Sequence, residues 1–170
     1  MKNIINKIEN FLLKKKNISL VFLFYLTNLI LTLFCSFFVD FFEGPYTNNE
    51  LFYNSKIQLI ISVIFIAPLL ETFIFQHLIF IIFRKYKINN FIFLYVSSFL
   101  FSLVHLYKYE NLLEIINIFL IGIILAYAYL VFTKKEKSSA FKNVYLIHLL
   151  HNCTILVIYL IYKLDYSTFK

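Results

Sequence analysis

The chain has 170 residues and a formal net charge of +7, yet only 15% of its residues are charged and 61% are hydrophobic. A soluble domain carries about 25% charged and about 45–50% apolar residues, so this composition excludes a soluble domain and indicates an integral membrane protein. The Lys and Arg residues cluster at the ends of apolar runs, which is a topology signal, and we expect no nucleic-acid partner. Cys35 and Cys153 lie inside apolar runs and predict no disulfide.

Residues 1–17 are rich in Lys and carry apolar residues at helical spacing. The apolar positions that share one helix face are Ile4, Ile5, Ile8, Phe11 and Leu12. We predict a basic amphipathic helix on an anionic membrane surface, with membrane lipid as its partner. The apolar run that follows, 18–39, is too long for the h-region of a signal peptide, which has about 7–15 residues.

Five apolar runs predict membrane-crossing helices, which need about 20 residues each. The runs are 18–39, 57–83, 91–106, 112–132 and 144–162. The second run is long, and Pro68 should kink it one turn before Glu71. The predicted fold class is all-α: a polytopic membrane helix bundle of about five transmembrane helices, plus the N-terminal interfacial helix. The bundle forms one domain, residues 18–163, followed by a short tail, 164–170.

Basic clusters alternate along the five runs. They lie in the N-terminal arm, after the second run and after the fourth, the last two holding Arg84, Lys85, Lys87, Lys134, Lys135, Lys137 and Lys142. By the positive-inside rule, the N-terminus is cytoplasmic and the C-terminus lies on the far side. The composition fits an AT-rich genome, and we expect the chain in a bacterial plasma membrane.

Four polar residues interrupt three of the runs: Glu71 in the second, His105 in the third, and His148 with Asn152 in the fifth. A charged residue at mid-membrane costs about 2.5–3.5 kcal/mol on insertion scales, so a retained one indicates function. A rise of about 1.5 Å per residue gives the four overlapping depths. His148 and Asn152 are i and i+4 and share a helix face.

Close helix packing is a further requirement for a buried site. Two pairs of small residues at i and i+4, Ser98 with Ser102 and Gly122 with Ala126, let helix backbones approach closely. Gly122 is one of only two glycines in the chain, so we expect it at such a contact.

The polar residues stand in three segments, Pro68-Leu-Leu-Glu-Thr-Phe-Ile-Phe-Gln76, Phe101-Ser-Leu-Val-His105 and His148-Leu-Leu-His-Asn152. Their order, spacing and setting resemble the EExxxR, FxxxH and HxxxN motifs of the CPBP family of intramembrane proteases, also called Abi or type II CAAX prenyl endopeptidases. The resemblance covers about residues 57–160. Thr72 stands where the family has its second Glu, and Gln76 where it has Arg. Both replacements are neutral, and a Thr–Gln hydrogen bond could take the place of the charged pair.

The resemblance implies an intramembrane endopeptidase that acts on a peptide or membrane-protein substrate. Glu71 would be the general base, His105 would help to activate water, and His148 and Asn152 would donate hydrogen bonds to the oxyanion. Four further residues would support this site: Thr72, Gln76, Phe101 and His151. Because five spans is short for the family, a homo-oligomer would complete the bundle.

No cofactor is favoured for this chemistry. Glu71, His105 and His148 match the His₂Glu donor set of zinc hydrolases, so zinc stays open, but the chain lacks HExxH and favours a metal-free route. A non-catalytic membrane scaffold, or an immunity or regulatory protein, is the alternative that Thr72 and Gln76 favour. A small transporter is disfavoured because the chain has no internal repeat. His77 lies outside the motifs and is predicted to be structural.

Overall fold

The computed structural model describes residues 2–43, 56–106, 112–135 and 138–168. These residues form six helices and no strand. The helices are α1 (Lys2–Leu13), α2 (Asn17–Glu43), α3 (residues 56–85), α4 (Asn90–Leu103), α5 (Leu112–Thr133) and α6 (Ala140–Thr168). The predicted all-α helical bundle is therefore confirmed.

Four of the described helices, α2, α3, α5 and α6, are long and apolar enough to cross a membrane, which makes the chain an integral membrane protein. Helix α4 is apolar but has only 14 residues, a length of about 21 Å against a hydrocarbon core of about 30 Å. The prediction that the third span extends to Leu106 is wrong. Helix α4 ends at Leu103, and a turn follows in which His105 N–H donates to Ser102 O over 3.0 Å.

Helix α1 is attached to the connection between α5 and α6. Glu9 forms an ion pair with Lys134. The ammonium group of Lys135 donates to the carbonyl oxygens of Leu13, at 2.8 Å, and Lys15, at 2.7 Å, just where α1 ends. The N-terminal arm and the basic cluster after α5 therefore lie on the same side of the bundle, as the alternation of charge predicts.

Several expectations about segment ends concern residues that the structure describes only in part. Helix α6 continues to Thr168, so most of the expected tail, 164–170, is helical. Residues 169 and 170 lie outside the described residues, as does Lys137. The side chains of Ile4 and Ile5 are likewise outside the description.

Helix α3 changes from α-helical to π-helical hydrogen bonding at two places. Two π-helical segments, Ser62–Ile66 and Thr72–Leu78, flank the short α-helical segment Ala67–Glu71. Pro68 accounts for the first segment, because proline cannot donate to a backbone carbonyl and its ring clashes with the carbonyl four residues back. The structure thus has a π-helical segment that ends two residues before Pro68, and the predicted kink stays a prediction. Such segments are frequent at functional sites.

Helix α5 lies at the centre of the bundle and packs against α2, α4 and α6. Its closest approach is to α4, where a Cβ atom on Gly122 would lie 2.9 Å from Ser98 Cα and 3.2 Å from Phe101 Cδ1. Ser98 is fully buried at this contact. The expected position of Gly122 at a close helix contact is confirmed. This contact brings α4 and the turn after it toward the centre of the bundle.

We predict that Gly122→Ala destabilises the fold. Alanine in a helix is favoured over glycine by about 1 kcal/mol, but overpacking against backbone that cannot yield costs about 1–3 kcal/mol. The expected net loss is about 1 kcal/mol in the free energy of unfolding, measured by denaturant titration in detergent micelles. The matched control is Ile116→Ala, a lipid-exposed position on the same helix, and an equal loss there would contradict the packing argument.

Candidate active site

Glu71 lies between two histidine rings that come from different parts of the chain. Its Oε1 is 3.8 Å from His105 Nε2, and its Oε2 is 3.4 Å from His148 Nε2. The side chains are largely buried, with exposed fractions of 21% for Glu71, 16% for His105 and 4% for His148. The structure therefore brings together three of the four residues that the sequence singled out, across α3, α6 and the turn after α4.

The end of α4 determines how His105 points. His105 lies in the turn rather than in the helix, and its Nδ1 is 2.8 Å from Phe101 O. A carbonyl oxygen can only accept a hydrogen bond, so Nδ1 of this ring carries a proton. In the neutral form of the ring, Nε2, which faces Glu71, carries a lone pair.

His148 is oriented by Thr72, the residue that follows Glu71. Thr72 is fully buried, and its Oγ1 is 3.4 Å from His148 Nδ1. An ionised carboxylate only accepts hydrogen bonds, so His148 beside ionised Glu71 carries its proton on Nε2 and accepts the Thr72 hydroxyl proton at Nδ1. The two histidines then hold opposite tautomers.

Phe101 holds both imidazole rings in place. Its ring centroid is 4.9 Å from that of His105 and 5.7 Å from that of His148, the second contact being edge-to-face. Phe75 from α3 packs on the other side of Phe101, at 5.8 Å. These are favourable aromatic geometries, so Phe101 packs against both histidine rings and against Phe75.

The side chain of Asn152 is hydrogen-bonded to the backbone of α3. Its Nδ2 donates to the backbone carbonyl of Val63, in the first π-helical segment of α3, over 3.0 Å. The amide of Asn152 thus joins α6 to α3 one turn from His148. Its predicted hydrogen bond to an oxyanion stays a prediction.

The hydrogen bond that the sequence allowed between Thr72 and Gln76 is not present in the described structure. Both residues are fully buried, but the Thr72 hydroxyl is directed at His148, and neither Oε1 nor Nε2 of Gln76 has a hydrogen-bond partner among the described residues. The reason is local geometry, because the two residues lie in a π-helical segment rather than in the α-helix that i and i+4 contacts assume. His151 is also buried, and its Nδ1 likewise lacks a partner within the described part of the chain.

The zinc alternative can be compared with the donor geometry. Two ligands on one tetrahedral zinc ion, each about 2.0–2.1 Å from the metal, stand roughly 3.4 Å apart, which Glu71 and His148 match. The 3.8 Å from Glu71 to His105 is longer and involves the other carboxyl oxygen. In the described parts of the chain, no group of three or more His, Cys, Asp or Glu side chains is placed to hold a metal ion.

Two polar contacts near the site were not predicted from the sequence. Ser97 on α4 is fully buried, and its hydroxyl donates to Phe75 O over 2.7 Å. His77 Nδ1 lies 2.5 Å from Tyr129 Oη, and this pair joins α3 to α5, which agrees with a structural role for His77. A serine and a tyrosine in apolar runs form no motif that would have indicated these contacts. A proline in a span does indicate a nearby backbone carbonyl that lacks its usual donor.

We predict that Thr72→Val loosens His148 without changing the shape of the core. The loss of one hydrogen bond costs about 0.5–1.5 kcal/mol in the free energy of unfolding. The ¹⁵N resonances of the His148 ring, measured in micelles, should move toward an averaged tautomer. Thr72→Ser keeps the hydroxyl and should restore them. Thr27→Val, where the hydroxyl bonds only to its own helix, serves as the control, and unchanged His148 resonances in Thr72→Val would contradict the assignment.

The chain matches a family model over the segment that holds the candidate site. No curated protein and no solved structure matches the chain. A protein-family model described as type II CAAX prenyl endopeptidase Rce1-like matches residues 53–154. The matched region covers more than half of the chain and contains Glu71, both histidines of the site and Asn152. The chain is therefore a member of the type II CAAX prenyl endopeptidase Rce1-like family.

Proposed function

We propose that this membrane protein is an active intramembrane endopeptidase that uses Glu71 as its general base. The observation that carries the proposal is the position of this carboxyl between the imidazoles of His105 and His148. A general base needs a basic oxygen within reach of a water molecule, and an oxyanion needs a fixed donor nearby. Glu71 and His148 supply these two groups side by side.

The separation between Glu71 and His105 supports a water-activating role. Direct N–H···O hydrogen bonds measure about 2.7–3.2 Å, and these two groups are 3.8 Å apart. With the proton of His105 on Nδ1, a lone pair on Nε2 faces an acceptor oxygen. A water molecule has two protons to donate, so it can bridge two such acceptors, and it is then held by Glu71 and His105 together.

The reaction proceeds in two steps. Glu71 removes a proton from the water, and the oxygen attacks the peptide carbonyl to form a tetrahedral intermediate. His148, with its proton on Nε2, donates to the oxyanion, which in comparable sites is worth about 2.7–4 kcal/mol. The C–N bond then breaks as Glu71 returns its proton to the leaving amine. His105 stabilises the water and needs no proton of its own on Nε2.

The proposed substrate is a peptide segment or a membrane protein that reaches the bundle from the lipid. The proposed setting is a bacterial plasma membrane with the N-terminus in the cytoplasm. The attachment of α1 to Lys134 and Lys135 supports this orientation, since it gathers basic residues on one side of the bundle. The same basic side would face anionic lipid, and a second copy of the chain would complete the lipid-exposed faces.

We predict that Glu71→Gln abolishes peptide cleavage. Glutamine keeps the size of the side chain but cannot accept a proton, so kcat should fall by at least about 100-fold, the lower range for general base catalysis. The measurement is cleavage of a membrane-peptide library by purified protein in micelles or liposomes. Glu9→Gln, on α1 in the ion pair with Lys134, is the matched control and should keep the wild-type rate.

The opposite result would favour the alternative function. Folded wild-type protein and Glu71→Gln could both show no peptide cleavage in this assay while both restore the cellular phenotype of a deletion strain. In that case the chain acts as a non-catalytic scaffold or regulatory protein. The support for this alternative is that Thr72 and Gln76 stand where the family motif has charged residues, and that Gln76 has no hydrogen-bond partner among the described residues.

We also propose that the reaction needs no metal ion. Cleavage should therefore continue, within about twofold, after treatment with 1,10-phenanthroline and dialysis, since the donor groups do not form a three-ligand set. The control is a zinc endopeptidase treated in parallel. Loss of cleavage that returns when zinc is added back would contradict the metal-free route.

A further inference from the structure

The backbone carbonyl of Val63 has no backbone donor in either helical pattern. In an α-helix it would accept from residue 67, but Ala67 N–H donates instead to Ser62 O, five residues back. In the π-helical pattern it would accept from residue 68, which is proline and has no N–H. The change of pattern and the proline together leave Val63 O without its usual partner.

A side chain from α6 occupies this position. Asn152 Nδ2 lies 3.0 Å from Val63 O, a normal hydrogen-bond length. An unsatisfied carbonyl in the membrane interior is costly because no water is there to replace the lost bond. We propose that Asn152 supplies the hydrogen-bond donor that Pro68 lacks, and that this bond positions Glu71 against α6.

A second hydrogen bond from another helix, on the C-terminal side of Glu71, supports a positioning role. In an α-helix Phe75 O would accept from Ile79 N–H, but Ile79 donates to Gln76 O, three residues back. The Ser97 hydroxyl on α4 donates to Phe75 O over 2.7 Å. Each π-helical segment of α3 is therefore bonded by a side chain from another helix.

These two hydrogen bonds come from α6 and α4, the helices that also position the two histidines. Asn152 is one turn after His148 on α6, and Ser97 is one turn before Phe101, whose carbonyl orients His105. Glu71 lies in the short α-helical segment between the two bonds. The bonds thus fix the carboxyl relative to both imidazoles, and a displacement of about 1 Å can cost about 100-fold in rate. This role differs from oxyanion donation because Asn152 acts through backbone and does not touch substrate.

The test combines Asn152→Leu with Pro68→Ala. Alanine at position 68 restores a backbone N–H, and Val63 O regains a donor whether the segment stays π-helical, through residue 68, or becomes α-helical, through residue 67. Asn152→Leu alone should lower the folded-to-unfolded equilibrium constant by about tenfold and lower kcat with little change in KM. In the double variant Asn152→Leu/Pro68→Ala, the folded-to-unfolded equilibrium constant and kcat should each lie within about threefold of their values in Pro68→Ala alone.

A matched control removes the general effect of replacing a proline in a helix. Asn143, on the same helix, donates only to Ser138 Oγ and Ser139 O. Pro68→Ala should shift the unfolding midpoint of Asn143→Leu by the same amount as that of the wild type, and that of Asn152→Leu by more. Equal shifts in all three backgrounds would overturn the proposal.

The activity measurements separate this inference from the proposed function, on which only its catalytic part rests. If the unfolding data couple Asn152 to Pro68 but the double variant stays inactive while Pro68→Ala alone cleaves, the positioning role is overturned and the oxyanion role is supported. If wild-type protein cleaves nothing, the proposed function fails, yet the coupling in unfolding still supports or overturns the hydrogen-bond replacement.

Discussion

A carboxyl group in the hydrocarbon region has to be surrounded by polar partners, and much of this bundle is arranged around that requirement. Glu71 is contacted by His148 from α6 and by His105 from the turn after α4. The turn is essential here, because the early end of α4 lets the His105 ring bend back to its own Phe101 carbonyl. Had α4 continued as a helix, that carbonyl would be paired with the backbone N–H of residue 105, and the ring would lose the partner that defines its tautomer.

The close contact between α4 and α5 makes this arrangement compatible with a short helix. An α4 of about 21 Å does not span the hydrocarbon core, so its ends need support from neighbouring helices. Gly122 allows the Ser98 backbone to approach α5 closely, because a Cβ at this position would lie 2.9 Å from Ser98 Cα. This contact lies one turn from Phe101, and it therefore determines the depth at which Phe101 presents its ring to the two histidines. A small residue outside all three motifs thus contributes to the geometry of the site.

Sequence patterns predicted the spans and the convergence of Glu71, His105 and His148, since hydropathy and helical spacing are properties of local sequence. They did not predict where α4 ends, because Val104 and Leu106 are as apolar as the helix itself and no Gly or Pro marks the boundary. The partner of Asn152 was also missed, since Pro68 indicates a carbonyl that lacks a donor but does not indicate which side chain binds it. The Thr72–Gln76 hydrogen bond failed because α-helical spacing was assumed where the helix is π-helical.

The two departures from the family motifs differ in their consequences for the site. Thr72 replaces a carboxylate with a hydroxyl, and that hydroxyl faces His148 Nδ1, where a donor favours the tautomer with a proton on Nε2 toward Glu71. Gln76 replaces a guanidinium with a neutral amide that is buried without a hydrogen bond in the described structure. A buried charge would have needed a charged partner, and the loss of both together avoids an unpaired ion. The substitutions therefore change the surroundings of the site and leave Glu71 and the two imidazoles in contact.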